Sequence, residues 1–279
     1  MQPAAIVIFD IDGVIRDVGG SYRRALADTV EYLTAGQFRP TPEAIDQLKA
    51  EGIWNNDWEA SQELVYRYFE QTPAAPEAIA AVTDRIVQPV ADGRGGVAIE
   101  YDRLVAFFQS RYRGTDPVNW NGYICAEPLL LEPNYLQLLS DSGILWGFFS
   151  GATRGSATYI LEKRLGLQAP VLVAMEDAPG KPDPTGLCAT VQQLETAPAL
   201  NLPVLYVGDT VADMYTVLRA RELQPARSWI AVGVLPPHVQ TTDDRSLDYT
   251  RTLEKAGADT VFWNVQELTP AKIEKLIGN

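Results

Sequence analysis

Cysteine is scarce in this chain: Cys125 and Cys188 are the only two among 279 residues, and they form no C-x-x-C motif. They read as buried, reduced thiols and point to a cytoplasmic location. Long hydrophobic runs are also missing. None approaches the roughly 18 residues of a membrane helix, so no membrane span is expected. The first residues carry no basic region and reach Asp10 after a short apolar stretch, which does not read as a signal peptide. Positive charge is in deficit, 23 Lys and Arg against 36 Asp and Glu, for a formal net charge of −13. That balance disfavours nucleic acid or an anionic membrane surface as a partner. His238 is the only histidine, set between Pro237 and Val239, and it is assigned no catalytic role. No internal repeat is present.

What remains is ordinary for a globular protein: 46% apolar and 21% charged residues, in a length that allows one large domain or two modest ones. Periodicity divides the chain. After Asp17, about 110 residues show helical spacing without a convincing buried strand. Leu26, Val30 and Leu33 form one apolar stripe. Thr41-Pro42 reads as an N-cap with proline at the first helical position, and Gly52 ends that helix. Leu64, Val65, Tyr68 and Phe69 follow a capping signal at Asn55-Asn56-Asp57. Leu104, Phe107, Phe108 and Tyr112 form a further stripe that stops at Gly114.

From Pro128 onward helical and strand patterns alternate, which predicts parallel βαβ units. The first strand, near residue 6, must join that later sheet because alone it could bury neither face. The expected fold is therefore α/β: a Rossmann-like parallel sheet with helices on both faces (residues 1–16 and 128–279), carrying an inserted helical cap domain (17–127). Glycines and a proline at both joints suit hinges.

Chemistry collects just past the apolar runs. Ile6–Phe9 leads into Asp10-Ile11-Asp12-Gly13, Ile144–Phe149 into Ser150-Gly151, and Val204–Val207 into Gly208-Asp209 with Asp213 close behind. Lys181 follows the Val171–Val173 run after a short loop. Ligands in open α/β sheets bind beyond the carboxyl ends of the strands, so these residues converge on one pocket. A carboxylate is a competent nucleophile toward phosphorus, and Asp10 is the candidate. Extended geometry returns the side chain two residues on to the same side, so Asp12 suits proton transfer. Ser150 and the Gly151 amide suit phosphoryl oxygens, and Lys181 neutralises charge on nucleophile and phosphate. Asp209 and Asp213 suit a hard cation. Carboxylates about 5 Å apart repel by about 3 kcal/mol per pair at an effective dielectric of about 20, so such a group needs counter-charge. Each residue taken singly also has a structural reading, as helix cap, turn or solvated lysine.

Together, Asp10-Ile11-Asp12-Gly13-Val14, Ser150-Gly151, Lys181 and Gly208-Asp209 with Asp213 resemble the haloacid dehalogenase-like hydrolase superfamily. The likeness is to its members with a helical (C1-type) cap after the first strand, in the phosphoglycolate phosphatase and β-phosphoglucomutase branch. The resemblance implies a magnesium-dependent phosphatase that hydrolyses a small phosphorylated metabolite through an aspartyl-phosphate on Asp10. It implies a metal site of Asp10, Asp209, the Asp12 backbone carbonyl and Asp213, the last directly or through water. Dehalogenases and phosphonate hydrolases of the superfamily lack an aspartate at the position of Asp12, which directs this chain toward phosphatase or mutase chemistry. A phosphomutase and a non-catalytic phosphometabolite-binding module are the alternatives.

Substrate choice is assigned to side chains of the insertion and its joints: Arg16, Tyr22, Arg23, Trp54, Asn55 and Asn56. Arg16 suits either a second acidic group of the substrate or an ion pair at the hinge. Asn55-Asn56-Asp57 reads first as a helix cap, and Trp54 and Trp58 as packing. Asp92-Gly93-Arg94-Gly95-Gly96 follows no expected strand and reads as a cap turn. Oligomeric state is not legible.

Overall fold

The computed structural model describes residues 3–49, 51, 53, 54, 56–72, 76–195 and 201–278. The chain divides into two compact units, Met1–Asp17 with Pro128–Asn279, and Val18–Glu127. It opens with β1 (Ala5–Phe9), five apolar residues buried without exception, as a central parallel strand requires.

The second unit follows: α1 (Tyr22–Leu33), α2 (Pro42–Lys49), α3 (Asp57–Gln71), α4 (Pro76–Val82), β2 (Val87–Pro89), β3 (Val97–Ile99) and α5 (Tyr101–Tyr112). Helices α1 and α3 bury the stripes that their spacing predicts, Leu26, Val30 and Leu33 in the one, Leu64, Val65 and Phe69 in the other. Aromatic rings seal the unit, Tyr22 stacked on Tyr112 at 4.1 Å and Tyr32 on Phe107 at 4.2 Å. Glu63, nearly buried, joins Arg67 and Arg94 in an ion-pair cluster that also takes in Glu51 and Glu70. The insertion is not wholly helical. Strands β2 and β3 form an antiparallel pair, Val87 opposite Ile99 and Pro89 opposite Val97, and the glycine-rich stretch is their connection. Three-residue strands are too short to impose a two-residue period on the sequence. The expected helix stop at Gly52 lies outside the described residues.

The first unit resumes with α6 (Pro133–Asp141), β4 (Ile144–Phe149), α7 (Arg154–Thr158), β5 (Leu172–Val173), α8 (Thr185–Leu194) and β6 (Val204–Gly208). It ends with α9 (Val211–Leu223), β7 (Trp229–Val234), α10 (Asp243–Lys255), β8 (Thr260–Phe262) and α11 (Pro270–Ile277). Helix α7 changes pitch at its end, where Tyr159–Arg164 continue it as a π-helix. Six strands form one parallel sheet in the order β5-β4-β1-β6-β7-β8, flanked by helices. The chain lays β4 and β5 on one side of β1, then β6, β7 and β8 on the other. That reversal opens a crevice at the carboxyl ends of β1 and β6. Below it Ile6, Ile8, Phe149, Leu187, Tyr206, Met214 and Val217 belong to one buried cluster. Among the described residues no helix is long and apolar enough to cross a membrane.

Candidate active site

Asp10 is the first residue beyond β1, and its amide donates to Val207 O at 2.8 Å, which holds it beside the end of β6. From there the backbone winds tightly: Ile15 N donates to Ile11 O at 2.8 Å and Gly13 N to Arg16 O at 2.9 Å. Gly13 has φ +76, and a Cβ built there would stand 2.0 Å from Asp209 Oδ2. Only glycine permits both the left-handed turn and the approach of Asp209.

Lys181 reaches in from the segment between β5 and α8. Its Nζ lies 2.9 Å from Asp10 Oδ2 and 2.6 Å from Asp213 Oδ1. The same ammonium stands 5.4 Å from the ring centres of both Phe149 and Tyr206. Asp213 is fully buried in the first turn of α9, where it forms a reciprocal cap with Thr210. Its Oδ2 accepts from Thr210 N at 2.9 Å and from Thr210 Oγ1 at 2.6 Å, and its Oδ1 accepts from Tyr206 Oη at 3.0 Å. Both oxygens of Asp213 are therefore engaged by the protein. Asp209 is the first residue beyond β6, and Tyr249 Oη on α10 donates to its carbonyl at 2.9 Å.

Asp10, Asp209 and Asp213 each offer a carboxylate oxygen within 4.8 Å of the others, all three buried. Asp10 Oδ1 is buried with no hydrogen-bond partner. An orphaned carboxylate oxygen beside a second buried carboxylate is the donor set a hard divalent cation takes. The electrostatics agree. Burial, and then the charges of Asp213 and Asp12 against the opposing pull of Lys181, push Asp10 up to about 7. Burial, Asp213 and Asp10 push Asp209 well above the usual carboxylate value. Burial also works against Asp213, but Lys181 and Thr210 outweigh it and hold that carboxyl below its ordinary value. Lys181 in turn is raised, its desolvation outweighed by Asp10 and Asp213. Without a cation the site thus resists full ionisation.

Asp12, Arg16, Ser150 and Gly151 are the other expected residues of the first unit. Asp12 is 29% exposed and forms an ion pair with Arg16, whose side chain is fully buried. Arg16 thus meets Asp12 and presents no surface to solvent. Ser150 is buried beyond β4, its Oγ accepting from Ala152 N at 3.1 Å, and Gly151 is exposed with open space at its Cα. Within the second unit, Tyr22 stacks on Tyr112, Arg23 pairs with Asp46, and Trp54 Nε1 donates to Glu51. Asn56 caps α3, its Oδ1 accepting from Trp58 N at 2.9 Å. Asn55 lies outside the described residues. Sequence reasoning missed Thr210, Tyr206 and Tyr249. The Thr210-x-x-Asp213 spacing is a capping-box signal and would have found the first; neither tyrosine carries a sequence signal of its contact.

A family model for haloacid dehalogenase-like hydrolases matches residues 4–220. The chain belongs to the haloacid dehalogenase-like hydrolase family. An imidazoleglycerol-phosphate dehydratase from Phytophthora nicotianae is 28% identical over 271 residues, 94% of this chain. The chain spans about half the length of that relative, 50%. Among solved structures, a phosphonoacetaldehyde hydrolase-like protein from Oleispira antarctica superposes with a TM-score of 0.62 at 17% identity, covering 98% of this chain and 94% of its own. Phosphatase Tt82 from Thermococcus thioreducens gives 0.61 at 22% identity, covering 82% and 92%. At these identities the structural likeness is one of fold.

Proposed function

We propose that this hydrolase is a magnesium-dependent phosphatase of small phosphorylated metabolites, with Asp10 as nucleophile. The observation that carries the reading is the state of Asp10: buried at the end of β1, one oxygen 2.9 Å from Lys181 and the other without a partner. In this reading the Asp10 carboxylate attacks phosphorus and the ester P–O bond breaks. Asp12 delivers a proton to the departing alkoxide and then takes one from the water that splits the aspartyl-phosphate. Inorganic phosphate leaves and Asp10 is restored. Lys181 offsets charge on Asp10 and on the phosphoryl group, while Ser150 and the Gly151 amide receive phosphoryl oxygens. Asp10, Asp209 and the Asp12 carbonyl would hold the metal, with Asp213 behind them. When bound, a divalent cation supplies the positive charge that lets these carboxylates ionise together and draws charge from the phosphoryl oxygens.

The partly exposed Asp12 favours an alcohol-leaving ester, because an alkoxide must be protonated to leave. The name of the Phytophthora nicotianae relative adds imidazole-bearing phosphate esters to the candidates, since this chain corresponds to about half of that protein, 50%.

The test is phosphate release from sugar phosphates, phosphoglycolate, imidazole-bearing phosphates such as histidinol phosphate, and nucleotides, with magnesium or with chelator, beside Asp10→Asn. Magnesium-dependent release that disappears in Asp10→Asn supports the reading. Turnover retained in that variant overturns the mechanism. An isomerised sugar phosphate in place of free phosphate identifies a mutase.

A further inference from the structure

Among the described residues Arg16 is the largest fully buried side chain, with no exposed surface. A guanidinium removed from water is costly unless it is paired, and an apolar residue of similar volume would serve packing alone at least as well. Its Nε donates to Asp12 Oδ1 at 2.6 Å, and its Nη2 also lies 2.6 Å from that atom. Both nitrogens approach the same carboxylate oxygen, Oδ1.

The backbone holds this arrangement from several sides. Arg16 N donates to Ile11 O at 3.1 Å, and Arg16 O accepts from Gly13 N at 2.9 Å. Arg16 also bridges Leu129 in antiparallel fashion. Leu130 N donates to Ile15 O at 2.8 Å, and Asp17 N to Pro128 O at 2.9 Å. The guanidinium is thus carried on a short ladder at the end of the first unit and aimed back across one turn of chain at Asp12.

We propose that Arg16 is a positioning residue: it fixes the Asp12 carboxylate through Oδ1, so that Oδ2 is the atom that exchanges protons with leaving group and water. This rests on the phosphatase reading above. Arg16 itself touches neither substrate nor metal, because it has no exposed surface. Its contribution is rotational, holding Asp12 in a single orientation for both half-reactions.

A leaving group that needs no proton separates this role from others. With 4-nitrophenyl phosphate, Asp12 is required only when water attacks the aspartyl-phosphate. Arg16→Met and the milder Arg16→Lys, which keeps charge but loses the Nε donor, should lower kcat by about tenfold to a hundredfold. KM should fall or stay level, and a burst of nitrophenolate equal to the enzyme concentration should precede slow turnover. In an Asp12→Ala background, Arg16→Lys should cost less than about twofold more, since the group through which it acts is gone. Three results overturn the proposal: a raised KM without a burst, losses that multiply in the double variant, or a fall in both steps that tracks a lowered melting temperature in Arg16→Lys. If wild-type protein shows no Asp10-dependent release from this ester or from any ester of the panel above, the phosphatase reading fails, and the proposal fails with it. That outcome is distinct from the other three, which all require an active wild type.

Discussion

Tyr206 on β6 and Asp213 in the first turn of α9 are joined by a buried hydrogen bond of 3.0 Å, the phenol donating to Oδ1. Tyr206 Oη also lies 3.2 Å from Phe149 O at the end of β4. One phenol therefore braces the aspartate that in turn holds Lys181. Tyr206→Phe keeps the ring and removes the donor, leaving Asp213 Oδ1 with Lys181 alone. A hydrogen bond to a charged group contributes about 1.5–3 kcal/mol, so unfolding free energy should fall by about that much. Denaturant titration measures it, and an unchanged midpoint would show that Lys181 suffices.

The stability of the metal-free protein should depend on pH in a defined direction. Asp10 is raised from its ordinary 3.8 to about 7, and Asp209 is raised as well. Between those values the folded state keeps protons that the unfolded chain has released, so stability falls as pH rises from about 4 to about 7. Asp213 is lowered, and its contribution is lost on the acid side, as pH falls through its depressed value. Melting in chelator should therefore be highest below neutrality. Magnesium should raise the melting temperature most at the alkaline end, where the carboxylates are free to bind it. A melting temperature in chelator that climbs steadily from pH 5 to 8 would contradict this.

Asp10→Asn should separate stability from turnover. The ionised carboxyl is disfavoured by burial and by the neighbouring carboxylates, and an amide of the same shape carries no charge. Lys181 retains Asp213. In chelator at pH 8 the variant should melt at or above wild type, while its phosphate release falls by several orders of magnitude. Lower stability than wild type would mean that the Asp10–Lys181 pair is a net stabiliser.

Gly13→Ala meets two obstacles at once, the φ of +76 and a Cβ 2.0 Å from Asp209 Oδ2. A left-handed non-glycine residue alone costs about 1–2 kcal/mol. The clash must move Asp209, so affinity for magnesium should fall by calorimetric titration together with thermal stability. Normal metal affinity would show that Asp209 has room to shift.

Loss of the Thr210 cap should be felt at the same centre. Thr210→Ala removes the hydroxyl that meets Asp213 Oδ2 at 2.6 Å, and N-cap deletions of this kind cost about 0.5–2 kcal/mol. Thr210→Ser, which keeps the hydroxyl, should recover most of that loss in thermal melts.

Much of this protein is written in its sequence because the signals are local. Unbroken apolar runs mark β1, β4, β6 and β7, since a central parallel strand buries both faces and tolerates no polar residue within it. Asp10, Lys181, Asp209 and Asp213 stand just past such runs or one loop away, where an open α/β sheet concentrates its chemistry. The short hairpin of β2 and β3 left no trace, because three residues per strand define no period. The change to π-helix at Tyr159 is likewise invisible to apolar spacing, which shifts little between the two pitches.

Tertiary structure alone decided who meets whom. Asp10 and Lys181 are 171 positions apart by their numbering, yet the sheet order brings them to 2.9 Å. The sequence left Arg16 open between a substrate's acid group and an ion pair, because charge and position are the same in both. Burial resolved it: a guanidinium with no exposed surface must find its partner inside the protein, and that partner is Asp12. Tyr206 and Tyr249 read as ordinary core and helix residues until the fold turned their hydroxyls onto Asp213 and the Asp209 carbonyl. Residue type and local periodicity determine which groups stand at the ends of strands; only the packed sheet determines their distances, and those distances set the charge that each group can carry.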